Sequence, residues 1–260
     1  MITLTSKDNP QIKNAVKLKK SAKFRKQSGC FIAEGVRVCV DAYLSGAVID
    51  AFFVTEAAKN KNPGEFEKLD GYALNTYMIS PELFALISDT QTPQGFLCVI
   101  KRLDKSEEFD TIKNGGKFLA LENIQDPNNL GTILRTAEAF GVSGVILTSD
   151  CCDVYNPKVV RGSMGAVFRL PMIETDSLPE FFADNTGLKT YASVVDGSAE
   201  KVTDVVFEEP CAVVIGNEGN GITQMTADSC GKKITIPMNG KAESLNASVA
   251  AAVLIWEMVK

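Results

Sequence analysis

The sequence has no histidine. That absence removes Ser-His and Cys-His nucleophiles, histidine-bound zinc and an imidazole general base working near neutral pH. Cysteine is present but unorganised: Cys30, Cys39, Cys98, Cys151, Cys152, Cys211 and Cys230 are odd in number, scattered, and form no C-x-x-C pair with metal-ligand spacing. They read as reduced, buried thiols, and the adjacent Cys151 and Cys152 as neither a disulfide nor a redox pair. No metal is expected. The apolar runs are too short to cross a bilayer, and the opening "MITLTSKDNPQIKNAVKLKK" lacks the apolar core of a secretory signal. The expected setting is therefore the cytoplasm, with no membrane partner.

What is present suits a globular chain: 260 residues, 45% apolar and 23% charged, long enough for one large domain or two smaller ones, of which two is the preferred reading. A net charge of −5 argues against a nucleic-acid partner until its distribution is considered. The first 30 residues hold Lys7, Lys13, Lys17, Lys19, Lys20, Lys23, Arg25 and Lys26 against Asp8 alone, a local +7 that leaves −12 for the rest. Such a block is either a solvated helix face or a landing strip for phosphates, and it tilts slightly toward RNA or DNA.

Periodicity predicts a compact α/β unit over residues 1–103. "QIKNAVKLKK" reads as a helix with one cationic face, "EGVRVCVDAYLSG" as a second helix, "VIDAFFVT" as a strand, "PELFALISD" as a short helix and "GFLCVIKR" as a strand. Residues 104–116, polar, acidic and ending on Gly115 and Gly116, read as a linker. Over 117–260, strand-like "KFLALEN", "GVILTS", "KTYASVV", "CAVVIGN" and "KKITIPM" alternate with helical stretches. That pattern predicts a parallel sheet covered on both faces, with ligands gathered at the loops after the strands.

Three segments could carry chemistry. In "LENIQDPNNLGTILRTAEAFGVSGVIL", Asp126 and Pro127 form a turn, Asn129 is the expected N-cap, and Leu130, Ile133, Leu134, Ala137 and Phe140 make one apolar stripe that leaves Arg135 facing away. "VVIGNEGNGIT" runs a strand into a loop whose Gly216, Gly219 and Gly221 surround Glu218. Its G-x-x-G-x-G spacing is neither a dinucleotide fingerprint nor a P-loop, which disfavours a small-molecule nucleotide enzyme. In "KAESLNASVAAAVLIWEMVK", Ser244 and Asn246 precede a helix on which Leu245, Val249, Val253 and Trp256 recur at helical spacing, and capping alone is sufficient to explain the two polar residues.

Taken together and in this order, the three segments resemble the signature motifs of the SpoU, or TrmH-like, RNA 2'-O-ribose methyltransferases of the SPOUT superfamily. "NPQIKNAVKL", "GCFIAEGVRV" and "SDTQTPQGFL" resemble that family's accessory substrate-binding domain. The resemblance implies an α/β domain over 117–260 containing a trefoil knot, which general folding rules would not have suggested. It implies S-adenosylmethionine at Gly216, Ile236 and Leu245, with the loop after "YASVV" contributing, and site residues Asn129, Arg135, Glu218, Ser244 and Asn246. Arg161 in "RGSMGAVFRLP" matches a segment expected to touch RNA, as are Lys13, Lys17, Lys20, Lys23, Arg25 and Lys26 of the basic block. A guanidinium is a poor proton acceptor at neutral pH, so Arg135 is expected to orient the 2'-oxygen and stabilise its developing charge. Asn129 and Asn246 are expected to position Arg135 and the motif loops by hydrogen bonds, and Glu218 to brace the knot or accept from the ribose. The implied assembly is a homodimer built on the C-terminal domain, in which the arginine works with the partner's site. Ribosomal RNA is the expected substrate. Transfer RNA, a role in antibiotic resistance, and an assembly factor that keeps the fold without catalysis are the alternatives.

Overall fold

The computed structural model describes residues 1–260. In chain order the elements of the first hundred residues are β1 (Ile2–Leu4), α1 (Pro10–Lys20), α2 (Ala22–Ser28), β2 (Cys30–Glu34), α3 (Val36–Leu44), β3 (Ile49–Val54), α4 (Glu56–Lys61), α5 (Pro63–Tyr72), β4 (Thr76–Ile79), α6 (Pro81–Ile87) and β5 (Phe96–Lys101). There follow α7 (Ser106–Ile112), β6 (Lys117–Leu121), α8 (Pro127–Ala139), β7 (Gly144–Thr148), α9 (Pro157–Gly162), α10 (Ala166–Arg169) and β8 (Met172–Thr175). The chain ends with α11 (Leu178–Asp184), β9 (Lys189–Ser193), β10 (Glu200–Lys201), β11 (Cys211–Ile215), α12 (Gln224–Ser229), β12 (Lys232–Thr235) and α13 (Ala247–Val259).

One local rule starts many of these helices. A proline directly after Asn, Ser or Asp opens α1, α6, α8 and α9, where Asn9, Ser80, Asp126 and Asn156 accept a hydrogen bond from a first-turn N–H. Proline suits the first helical position because the N–H it lacks has no intrahelical partner there. Asp126 therefore caps α8, with the Asn128 N–H donating to its Oδ1 at 2.8 Å. Asn129, the expected cap, lies inside the helix and is only 7% exposed, which frees its side chain for another task.

The first compact unit comprises Met1–Leu103 together with Asp153–Arg169. Its five-stranded sheet runs β1-β4-β3-β5-β2, with β1, β4 and β3 parallel and β5 antiparallel to β3 and β2. Ile12 and Leu18 of α1 and Phe84 of α6 pack on Ile32, Phe53 and Leu97 in one core cluster. The segment 153–169, expected in the C-terminal part of the chain, packs with unit 1. Tyr155 and Phe168 lie against the fully buried Phe31 at centroid distances of 4.3 and 6.2 Å. Asp153 pairs with Arg25 Nε at 2.6 Å. An apolar ring with no cover of its own takes that cover from later in the chain, which a window-by-window reading of composition does not register.

The second unit comprises Asp104–Cys152 and Leu170–Lys260. Its seven-stranded sheet runs β10-β12-β9-β11-β6-β7-β8 and every pairing is parallel. The interior strands β7 and β11 are buried along their whole length, which accounts for their unbroken Val, Ile and Leu runs. Part of the stretch expected to be a linker folds as α7. Phe109, 2% exposed, packs on Phe118 at 5.2 Å, so a single aromatic anchors an otherwise acidic segment to the sheet. No helix is long and apolar enough to cross a membrane.

Candidate active site

The parallel sheet determines where a site can form. β12, β9, β11 and β6 are neighbours in that order, so the loops leaving their C-terminal ends emerge side by side. These are the loops that carry Ile236, Val194, Gly216 and Asn123. Gly216 follows β11 directly, and the loop after it doubles back: Asn217 and Gly221 exchange backbone hydrogen bonds at 3.0 and 2.9 Å. A Cβ at Gly216 would collide with the backbone of Gly221 and Ile222, so the glycine is required by the loop's own return. Gly221 is required for a different reason, its φ of 68°.

The loop returning from β11 is tied to the loop before α8 by side chains. Asn217 Nδ2 donates to the Asn123 carbonyl at 2.9 Å, while its Oδ1 accepts from the N–H groups of Gly219 and Asn220. Asn123 itself has a φ of 54°, a left-handed conformation that asparagine tolerates better than most residues. Glu218 accepts from the N–H groups of Gln125 and Asp126 at 3.2 and 3.0 Å and from Asn129 Nδ2 at 3.0 Å. Partial burial opposes ionisation of Glu218, but those donors outweigh it and hold the carboxyl below the usual glutamate range.

Asn129 extends the connection. Its Oδ1 accepts from Asn246 Nδ2 at 3.0 Å, and Asn246 Oδ1 caps α13 by accepting from the N–H and hydroxyl of Ser248 at 2.9 and 2.6 Å. The chain Glu218, Asn129, Asn246 thus binds the β11 loop, α8 and the start of α13 into one hydrogen-bonded unit. The side chains line a cleft of about 620 Å³ together with Gln125, Asp126, Asn217, Ser244, Leu245 and Ala247. The cleft gathers four of the five expected catalytic residues, Asn129, Glu218, Ser244 and Asn246, together with Leu245 of the expected cofactor set. Ser244 is exposed and makes no hydrogen bond within the protein. Leu245, 38% exposed, leaves apolar surface uncovered at its edge.

Arg135 stands apart from the cleft lining. It lies six residues beyond Asn129, about 9 Å along α8, on the side opposite the buried stripe of Leu130, Ile133, Leu134 and Ala137. It is exposed and has neither an ion pair nor a hydrogen bond within the chain. Gly216 and Ile236 also lie outside the cleft, half-buried at the ends of β11 and β12.

Among the expected RNA-binding residues, Lys13, Lys17, Lys20, Lys23 and Lys26 are exposed on α1 and α2. Lys13 pairs with Asp8 at 2.8 Å, and Lys17 lies over the Phe24 ring at 5.5 Å. Arg25 does not belong with them. It is 3% exposed, its Nη1 donates to the Leu18 carbonyl and its Nε is held by Asp153, so its charge is spent inside unit 1. Arg161, partly exposed, pairs with Asp89 at 3.3 Å. The residues missed from sequence are Asn123, Gln125 and Asn217, whose work is to fasten loops. The Asn217-Glu-Gly turn pattern was the available signal for one of them.

Residues 116–256 match the profile of the SpoU rRNA Methylase family. The chain belongs to that family. Residues 9–98 match the MRM3-like substrate binding domain. Among similar proteins is the 23S rRNA (guanosine(2553)-2'-O)-methyltransferase RlmP of Bacillus subtilis, 28% identical over 99% of both chains. Another is an uncharacterized tRNA/rRNA methyltransferase of Synechocystis, 33% identical over 98% of this chain and 92% of that one. The AdoMet-bound rRNA methyltransferase of Sinorhizobium meliloti superposes with a TM-score of 0.86 at 26% identity, covering 99% of this chain and 97% of that one. The SpoU fold and family expected from the three motifs are thereby established.

Proposed function

We propose that the protein transfers a methyl group from S-adenosylmethionine to a ribose 2'-hydroxyl of ribosomal RNA. The observation that carries this reading is the hydrogen-bonded run from Glu218 through Asn129 to Asn246, which brings the three family motifs to one cleft. Gly216, Ile236 and Leu245 would hold the cofactor, and its sulfonium would supply an activated methyl group with a good leaving group. What remains for the protein is to align the attacking oxygen and to manage its proton. Glu218, with its pKa depressed and at least three donors on its oxygens, is the brace of the loop before α8 and a weak base at neutral pH. Asn129 and Asn246 transmit that brace to the start of α13. Ser244, unpaired at the cleft's edge, is available to the ribose.

Arg135 is the residue we assign to the reacting oxygen. Its planar donors grip an RNA phosphate and stabilise the alkoxide as it forms, with the proton leaving late. Because Arg135 faces away from its own chain's buried stripe, it acts in a homodimer on the cleft of the partner. The dimer surface is the exposed apolar stripe of α13, Val249 and Trp256, extended by Phe140 at the C-terminal cap of α8, whose ring meets Trp256 edge-on at 5.6 Å. Sedimentation of Trp256→Glu should show a monomer that has lost methyl transfer, and an active monomer would refute the shared site. The seven free cysteines support a reducing, cytoplasmic setting. The deciding experiment is to map 2'-O-methyl groups in ribosomal and transfer RNA from a deletion strain and its parent. One missing methyl in ribosomal RNA, restored in vitro by purified protein and S-adenosylmethionine, is the expected result. An unchanged methyl map would overturn the proposal, and a loss confined to transfer RNA would overturn its substrate.

A further inference from the structure

Unit 1 contains a cavity of about 910 Å³ that plays no part in the cleft just described. It is bounded by α3, α4, α6 and the loop before β5. The volume lies within the range of pockets that take small organic ligands, roughly 300–1,000 Å³. Val40, Ala58 and Phe84 give it apolar walls.

The polar groups in the lining are of mixed kind. Arg37 and Lys61 are exposed cations with no ion pair or hydrogen bond in the chain. Asp41 and Glu65 face the same space. Gln94 uses its Oε1 to accept from the Val36 N–H at 3.1 Å, which leaves its amide nitrogen unpartnered.

The walls are preformed. Gly95 has a φ of 78°, and a Cβ there would collide with Thr55 and Ala58, so the loop backbone is pressed against the start of α4. The preceding turn is clamped by the buried Glu34, which accepts from the Asp89 N–H at 2.8 Å and the Thr90 hydroxyl at 2.7 Å.

We infer that this cavity is an RNA site that receives a nucleotide turned out of its stack. A bare anion would be served by cations alone, and the two carboxylates would repel an acidic peptide. A nucleobase needs what is present: apolar walls for its faces, an amide and carboxylates for the donors and acceptors of its edge, and cations at the rim for the flanking phosphates. The inference rests on the RNA methyltransferase reading. It adds to that reading a specificity pocket separate from the site of methyl transfer, so that unit 1 selects the RNA by a base it holds.

Two kinds of variant separate a filled pocket from a charged surface. Ala57→Trp and Ala85→Trp, at exposed helix positions lining the cavity, fill it without changing charge. The Arg37→Ala, Lys61→Ala pair removes the cations and leaves the space. Binding is measured by filter retention of ribosomal RNA from a deletion strain across a salt series, with melting temperature and S-adenosylmethionine calorimetry as controls for folding and cofactor binding. The tryptophan variants should weaken RNA binding about tenfold with an unaltered salt slope, the loss of roughly one seated base. The alanine pair should weaken it and lower the salt slope by about one per cation. Wild-type affinity in all variants would overturn the inference. So would weakening by the alanine pair alone, because phosphates would then be tracking past an empty pocket. If wild-type protein binds this RNA but transfers no methyl group to it, the enzymatic reading fails while the pocket is still judged on binding.

Discussion

The polar groups around the unit 2 cleft and those on the cationic surface of unit 1 are used in opposite ways. Around the cleft of unit 2, Glu218, Asn129, Asn246 and Asn217 are turned on one another and on nearby backbone, so the loops after the strands are held before any ligand arrives. In unit 1, Lys20, Lys23 and Lys26 on α2 and its approach, and Arg37 and Lys61 around the cavity, have no partner in the chain. Paired groups fix a geometry, and unpaired cations wait for an anion. Methyl transfer needs the first because an oxygen must be aligned within tenths of an ångström. Capture of RNA needs the second, because each phosphate neutralised releases counterions. Arg135 departs from that pattern, a cation without a partner on the same helix as Asn129, which links Glu218 to Asn246.

The sharpest way to probe that exception is Arg135→Ala, which should lower the methyl-transfer rate constant by about 10²–10³, the usual loss when one donor to a developing oxyanion is removed. S-adenosylmethionine calorimetry on the same variant should be unchanged. Asn129→Ala attacks the paired side of the comparison. It strands Glu218 and Asn246 together, and urea unfolding should show a loss of about 1–3 kcal/mol, with activity falling as well.

A milder test uses acid. Because its folded pKa is depressed, Glu218 contributes stability that is fully present above the unfolded glutamate pKa of about 4.3 and is lost as pH falls through the lower folded value. Unfolding curves taken across that window should therefore converge for wild type and Glu218→Gln at the acid end. They should diverge above it, with wild type the more stable. The smallest effect belongs to the basic block: replacing Lys20, Lys23 and Lys26 by alanine should reduce the salt slope of RNA binding by about one for each phosphate contact removed. Stability should hardly move.

Much of this arrangement is legible in the sequence. A polar cap at Ser244 or Asn246, of which Asn246 is the one that caps α13, the apolar stripe on α8 and the outward face of Arg135 all follow from side-chain chemistry and a period of 3.6. The parallel sheet follows from unbroken runs such as "CAVVI". Other features did not follow, and for Arg25 and Asn129 the reason is a partner distant in sequence. Arg25 reads as one more cation in a basic block, and only the position of Asp153 reveals it as buried. Asn129 reads as a cap because Asn is a good one, yet Asp126 with Pro127 makes a better start and releases Asn129 to join Glu218 and Asn246. Residues 104–116 read as a linker because six of the thirteen are acidic or basic side chains flanking little else, and the weight of Phe109 appears only once Phe118 is opposite it. Local propensity and periodicity are visible in a window of the chain, whereas a pairing across a hundred residues is not.

We propose that a planar guanidinium at position 135, presented by a braced helix, handles the ribose oxygen in a protein without histidine. Single-turnover methyl transfer by Arg135→Lys, with RNA and S-adenosylmethionine both saturating, tests it most directly. The rate should be close to that of Arg135→Ala, because an ammonium cannot hold a phosphate and an alkoxide in one plane. A wild-type rate from the lysine variant would contradict it, for a point charge would then suffice.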